Sequence, residues 1–194
     1  LSYELFDAHC WNDWKQRAHD GSPALTGWEP PSALLSPAQD GAMSYLRQVA
    51  KAFVAIAQAA GLPVLFQIGE PWWWVQPDSG APCLYDNATR AALGGSPAII
   101  ADMRAPIDEA QRNVLDAAGA FLAQSTAALA QSVRDAAGGE AEILLLAFTP
   151  TVLNPRMPEL YRANLPTGWA WPAFDRLQLE DYDWLTDGAD AERR

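Results

Sequence analysis

Two acidic groups in this chain stand among aromatic residues. Gly69-Glu70-Pro71-Trp72-Trp73-Trp74 sets a carboxylate directly ahead of three indoles, and Glu180-Asp181-Tyr182-Asp183-Trp184 interleaves three carboxylates with a phenol and an indole. Apolar aromatic surroundings disfavour an ionised carboxylate and lift its pKa toward that of a general acid. A sugar ring has apolar faces that stack on indole, so Trp72, Trp73 and Trp74 are candidates for one wall of a saccharide groove. Hydrolysis of a glycosidic bond needs two carboxylates across the bond, about 5–5.5 Å apart for retention and wider for inversion. Glu70 is the candidate acid/base and Glu180 the candidate second carboxylate. Glu4, Asp181, Tyr182, Asp183 and Trp184 are candidates for lining the same site. The plainer alternative is that the tryptophans fill the mouth of the fold, Glu70 accepts backbone hydrogen bonds, and the stretch from Asp181 is a solvated loop.

Other chemistry is thinly represented. His9-Cys10 has no second His or Cys at ligand spacing, since His19 and Cys83 are the only others, so neither a metal site nor a Cys-His nucleophile is expected. No Gly-rich phosphate loop occurs, and no cofactor is implied. The 194 residues carry a formal charge of −11, which argues against nucleic acid or an anionic membrane as partner. No apolar run reaches about 18 residues, and the first residues lack the layout of a signal peptide.

The elements that must position these residues follow from periodicity. Leu1 to Phe6 reads as a strand with no lead-in, as if the chain began inside a larger domain. Asp7 to Pro31 reads as a decorated loop whose Trp11, Trp14 and Trp28 serve packing, with sugar stacking the lesser alternative. Ser36-Pro37-Ala38-Gln39 predicts a capping box and a helix to about Ala60, with Met43, Leu46, Val49, Phe53 and Ile56 on its buried face. Val64–Ile68 and Ile143–Phe148 suit strands covered on both faces. A short helix over Asp86 to Leu93 and a long one from Pro106 to Gly138 lie between them. Thr149 to Pro172 reads as a Pro-rich loop, and Leu177 to Glu180 as a strand.

Strands alternating with amphipathic helices predict a parallel sheet with right-handed crossovers. Glu4, Glu70, Thr149 and Glu180 fall at strand C-terminal ends, which suits the rim of a (β/α)8 barrel better than an open sheet with one crevice. Ile99-Ile100 is too short for a barrel strand. The expected fold is therefore α/β, a TIM-barrel-like domain over residues 1–194, incomplete because only about strands three to six are present.

Ser2 to Cys10, Phe66 to Trp74, Cys83-Leu84-Tyr85-Asp86 and Leu177 to Trp184 resemble the glycoside-hydrolase-like TIM-barrel domain of tail proteins from alphaproteobacterial prophages and gene transfer agents. The resemblance implies a module of a large tail-tip or baseplate hub protein, made in the bacterial cytoplasm and carried on the tail of a phage-like particle. Its implied partners are other tail proteins and cell-surface polysaccharide. A more distant similarity is to clan A glycoside hydrolases, whose acid/base Glu ends the fourth strand, commonly after Asn. Glu70 matches that position, with Gly69 in place of the Asn. An active retaining glycosidase and a purely structural tail module are the alternatives to a polysaccharide-contacting one.

Overall fold

The computed structural model describes residues 1–180 and Gly188; the candidates Asp181, Tyr182, Asp183 and Trp184 lie outside the described residues. Strands β3 (Val64–Ile68), β4 (Ala141–Phe148) and β5 (Arg176–Glu180) form a parallel sheet in chain order. Phe66 stands opposite Ile143, and Leu145 opposite Leu177. The first residues extend this sheet, because Gly69 N–H donates to the Leu1 carbonyl (2.9 Å) and Tyr3 N–H to the Gly69 carbonyl (3.1 Å). Four adjacent parallel segments joined through helices are the arrangement of a βα barrel. Among the described residues they do not close on themselves.

Two helices cover one face of the sheet. The first, α1 (Asp40–Ala59), packs against the long α3 (Glu109–Ala136), and the short α2 (Asn87–Ala92) lies between them in the chain. Asp108 caps α3 in a reciprocal box with Gln111, and Asp86 caps α2. At α1 the cap is Gln39, whose side chain accepts from the N–H groups of Gly41 and Ala42. Ser36, the predicted cap, instead pairs its hydroxyl with Thr89 at 3.1 Å. The buried stripe of α1 is also turned from the predicted one. It runs through Ala42, Met43, Leu46, Ala50 and Val54, and leaves Phe53 and Ile56 exposed. Met43 and Leu46 belong to both stripes, which differ in that Ala50 and Val54 are buried in place of Phe53 and Ile56.

Cover differs from strand to strand: β3 is covered on the helix face alone, β4 has Ile143 and Leu145 buried on that face and Leu146 on the other, and β5 is exposed on both. Val64, Phe66 and Ile68 are buried beneath the helices, while Leu65 on the opposite face is 65% exposed. That opposite face is the one a closed barrel would enclose. Leu177 and Leu179 of β5, which the register sets beside Leu145 and Ala147 on the helix-side face, are exposed as well. Ile99-Ile100 forms no strand, and Ile100 is instead a core residue of a loop. Two short elements escaped the sequence reading. Strand β1 (Glu4–Phe6) pairs antiparallel with β2 (Ser32–Leu34), and α4 (Tyr161–Asn164) interrupts the loop after β4. Each is too short for its periodicity to rise above the surrounding Pro and Gly.

The α3–α4 contact is close enough to depend on one glycine. A Cβ on Gly119, midway along α3, would fall far inside van der Waals contact with the carbonyl oxygen of Arg162. In an unobstructed helix Gly→Ala stabilises by about 1 kcal/mol. Here the sign is expected to reverse, with Gly119→Ala losing about 1–3 kcal/mol through overpacking against backbone. Urea unfolding of the variant checks it.

Candidate acidic and aromatic pocket

The loop after β3 carries the chemistry and belongs to no sheet, so its backbone must be paired some other way. Two buried amides do this. Asn164 accepts from Trp73 N–H at 2.7 Å and donates to the Trp73 carbonyl at 3.1 Å. Gln16 accepts from Trp74 N–H at 2.8 Å and donates to the carbonyls of Trp72 (2.9 Å) and Leu35 (3.1 Å). Between them the Trp73 indole is fully buried and donates from Nε1 to the Ala118 carbonyl at 2.9 Å. Trp73 is thereby an anchor in the helix layer, away from any pocket wall. Trp72 and Trp74, the neighbours on either side, turn the other way.

That turn creates a cavity of about 190 Å³ at the C-terminal end of the sheet. Its walls include Glu70, Glu180, Trp28, Trp72, Trp74 and Phe148. The Trp72 and Phe148 rings lie 5.4 Å apart, and the Thr149 hydroxyl donates to the Glu180 carbonyl at 3.0 Å, tying the end of β4 to that of β5. The cavity thus brings together Glu70, Glu180, Trp72 and Trp74 from strand ends far apart in the chain. Glu4 lies beside Glu70 without being one of the lining residues. Trp28, in the loop before β2, is 54% exposed and forms part of the wall. Trp11 is also exposed, at 61%, and stacks on Trp14, so neither it nor Trp28 fills a core.

Glu70 is unusual in its backbone and in its proton affinity. Its φ is +51°, the sole positive value outside glycine among the described residues. The left-handed region costs an L-residue roughly 1–2 kcal/mol. Gly69 does not take that conformation because it pairs in parallel with the first segment, its N–H donating to the Leu1 carbonyl and its carbonyl accepting from Tyr3 N–H. Burial, then the neighbouring Glu4 carboxyl and a shared hydrogen bond with it, push the Glu70 pKa up to about 7. A carboxyl held half-protonated near neutrality can give or take a proton there.

Sequence reasoning overlooked Gln16, Asn164 and Phe148, and gave Trp28 to packing with sugar stacking only the lesser alternative. Only their partners' backbone positions give them their roles, and no spacing rule carries that information. Among the described residues no cluster of three or more His, Cys, Asp or Glu could hold a metal ion, and no helix is long and apolar enough to cross a membrane.

Two stability effects follow. Gln16→Ala leaves the Trp72 and Leu35 carbonyls and the Trp74 N–H without partners, at about 1–3 kcal/mol for each buried group. A loss of at least about 2 kcal/mol in urea unfolding is expected. Glu70→Gly relieves the left-handed strain but adds unfolded-chain entropy worth roughly 0.5–1 kcal/mol. The glycine variant is expected to unfold at a higher midpoint than the parent, and Glu70→Gln is not.

The model of the family described as non-contractile tail sheath protein TIM barrel matches residues 1–194. No curated protein sequence and no solved structure matches the chain.

Proposed function

Because the chain belongs to the family of non-contractile tail sheath protein TIM barrels, we propose that it is a module of a phage-type tail whose rim cavity contacts cell-surface polysaccharide. The family description names a sheath, so the tail is the setting, and contact with other tail proteins follows from it. A place at the tail tip or baseplate, or in a gene transfer agent, goes beyond that description. The observation that carries the sugar reading is the cavity itself. A strained carboxylate, Glu70, is held against Trp72 and Trp74 in a hollow at the C-terminal ends of parallel strands, where βα barrels place their sites. Indole faces would stack on a sugar ring, and the carboxylates would accept from its hydroxyl groups.

Glycosidase action is a second reading, favoured by one specific fact. Glu70, with its pKa pushed up to about 7, shares the cavity wall with Glu180. Glu70 would then protonate the leaving oxygen, and Glu180 would be the second carboxylate. The charged side chain acting on Glu70 is Glu4.

One set of measurements tests both. The chain is titrated with capsular and cell-wall glycans while intrinsic tryptophan fluorescence and released reducing ends are followed. Contact is expected to change the fluorescence, and Trp72→Ala or Trp74→Ala to weaken it about tenfold or more, as loss of a stacking ring should. No binding across the panel would remove the polysaccharide reading. If reducing ends appear, a general acid must be protonated, so the rate is expected to fall as pH rises through about 7 and to vanish in Glu70→Gln. Binding without release would leave contact alone.

A further inference from the structure

A second group of aromatic rings stands exposed outside the rim cavity. We propose that Trp11, Trp14 and Tyr45 form a platform on which successive residues of an uncharged polysaccharide stack, their hydroxyl groups donating to Asp13 and Asp40. This rests on the polysaccharide reading and adds a second contact to it, at a different address.

The arrangement of the rings is the first ground. Trp11 precedes and Trp14 ends the short turn Asn12–Trp14, with ring centroids 4.5 Å apart, and Trp14 lies 5.7 Å from Tyr45 of α1. Each ring is tilted on the next, by 46° and then 45°, so the three make one continuous row. Trp14 packs against the core and anchors that row, while Trp11 and Tyr45 are exposed at its ends. The place of Trp14 depends on a glycine in the first turn of α1, since a Cβ on Gly41 would meet its Nε1 at 3.1 Å. Rings held in contact with one another but left in water fill no core, and such a patch marks a surface for something else.

The groups beside the row are the second ground and decide between sugar and protein. Asp13 lies in the turn between the two indoles, and Asp40 opens α1 next to Gly41. Both are exposed, and among the described residues neither is held in an ion pair. The lysine that follows Trp14 is already committed, since Lys15 holds Asp7 at 2.6 Å. A protein partner seated on the rings would bury these carboxylates unpaired, and charged residues are depleted from the centres of protein interfaces for that reason. A sugar removes the conflict. The apolar face of its ring lies on an aromatic ring, and its hydroxyl groups donate charge-assisted hydrogen bonds to the carboxylates. An acidic sugar would instead bring like charge to a chain of net charge −11.

The test is calorimetric titration of the whole chain with four probes. These are cello-oligomers, N-acetylglucosamine oligomers, galacturonate oligomers and poly-L-proline, the last because aromatic rows also take extended proline-rich peptides. Trp11→Ala is expected to weaken the uncharged oligomers about tenfold, the worth of one lost stacking ring, and Tyr45→Ala to do the same. Tyr45→Ala carries the test if circular dichroism shows the first variant to be unfolded, and Trp72→Ala is the control for the rim. Weakening by Trp72→Ala with none by Trp11→Ala or Tyr45→Ala would overturn the platform and leave the rim reading standing. So would tightest binding of the galacturonate oligomers. Weakening by Trp11→Ala with none by Trp72→Ala would support the platform and move polysaccharide contact off the rim. Binding of poly-L-proline alone would give the row to a protein, and binding of none of the four would overturn platform and polysaccharide reading together.

Discussion

The backbone of Trp72 to Trp74 is in the interior but outside every sheet, and two side-chain amides supply what a neighbouring strand would otherwise give. Gln16 and Asn164, both essentially without solvent exposure, pair the carbonyls of Trp72 and Trp73 and the N–H groups of Trp73 and Trp74. They arrive from opposite directions in the chain, one from the loop before β2 and the other from the end of α4. The loop after β3 is therefore a joint between three regions. Removing either amide would strand buried backbone groups, and the rim would lose its template before the sheet lost a single ladder bond.

That joint decides which indole does what. Clamped on both sides, Trp73 has one direction left, into the helix layer, where its fully buried ring is worth roughly 4–6 kcal/mol by area. Its neighbours then face the cavity. The same geometry forces Glu70 into the left-handed region, at roughly 1–2 kcal/mol. Since the anchoring outweighs the strain severalfold, the strained conformer persists without any ligand to hold it. The carboxyl is placed before anything binds, which is what a preorganised site requires.

Much of this was legible in the amino-acid order. The strands Val64–Ile68 and Ile143–Phe148, the long helix after Pro106, the parallel alternation and the rim position of Glu70 all rest on local periodicity and turn chemistry. These signals survive folding because the residues that carry them also make the contacts. What could not be read depends on distant partners. Phe53 and Ile56 obey helical spacing as well as Ala50 and Val54 do, and only the close approach of α3 selects the smaller set. Glycine at 69 suggests that the left-handed residue is Gly69, yet its parallel pairing with the first segment keeps it extended and the positive φ falls on Glu70. Trp28 enters the pocket wall through the β1–β2 pairing, which three-residue strands do not announce.

The exposed apolar groups of the sheet and those of the rim differ in chemistry. On the sheet, Leu65 on one face and Leu177 and Leu179 on the other are exposed aliphatic side chains. Such surface asks only to be covered, and any well-shaped apolar partner would satisfy it. At the rim the exposed and half-exposed groups are indoles, and they converge with Glu70 and Glu180 on one hollow. Indole tolerates water on one edge and apolar matter on its face, and a carboxylate among indoles carries a desolvation cost that a mere packing surface would avoid. Strain at Glu70, unpartnered atoms on Trp72, Trp74 and Glu4, and a raised proton affinity all fall within this one region. An architectural wall has no need of strain or of a raised proton affinity, and their coincidence at Glu70 separates the rim from the rest of the surface.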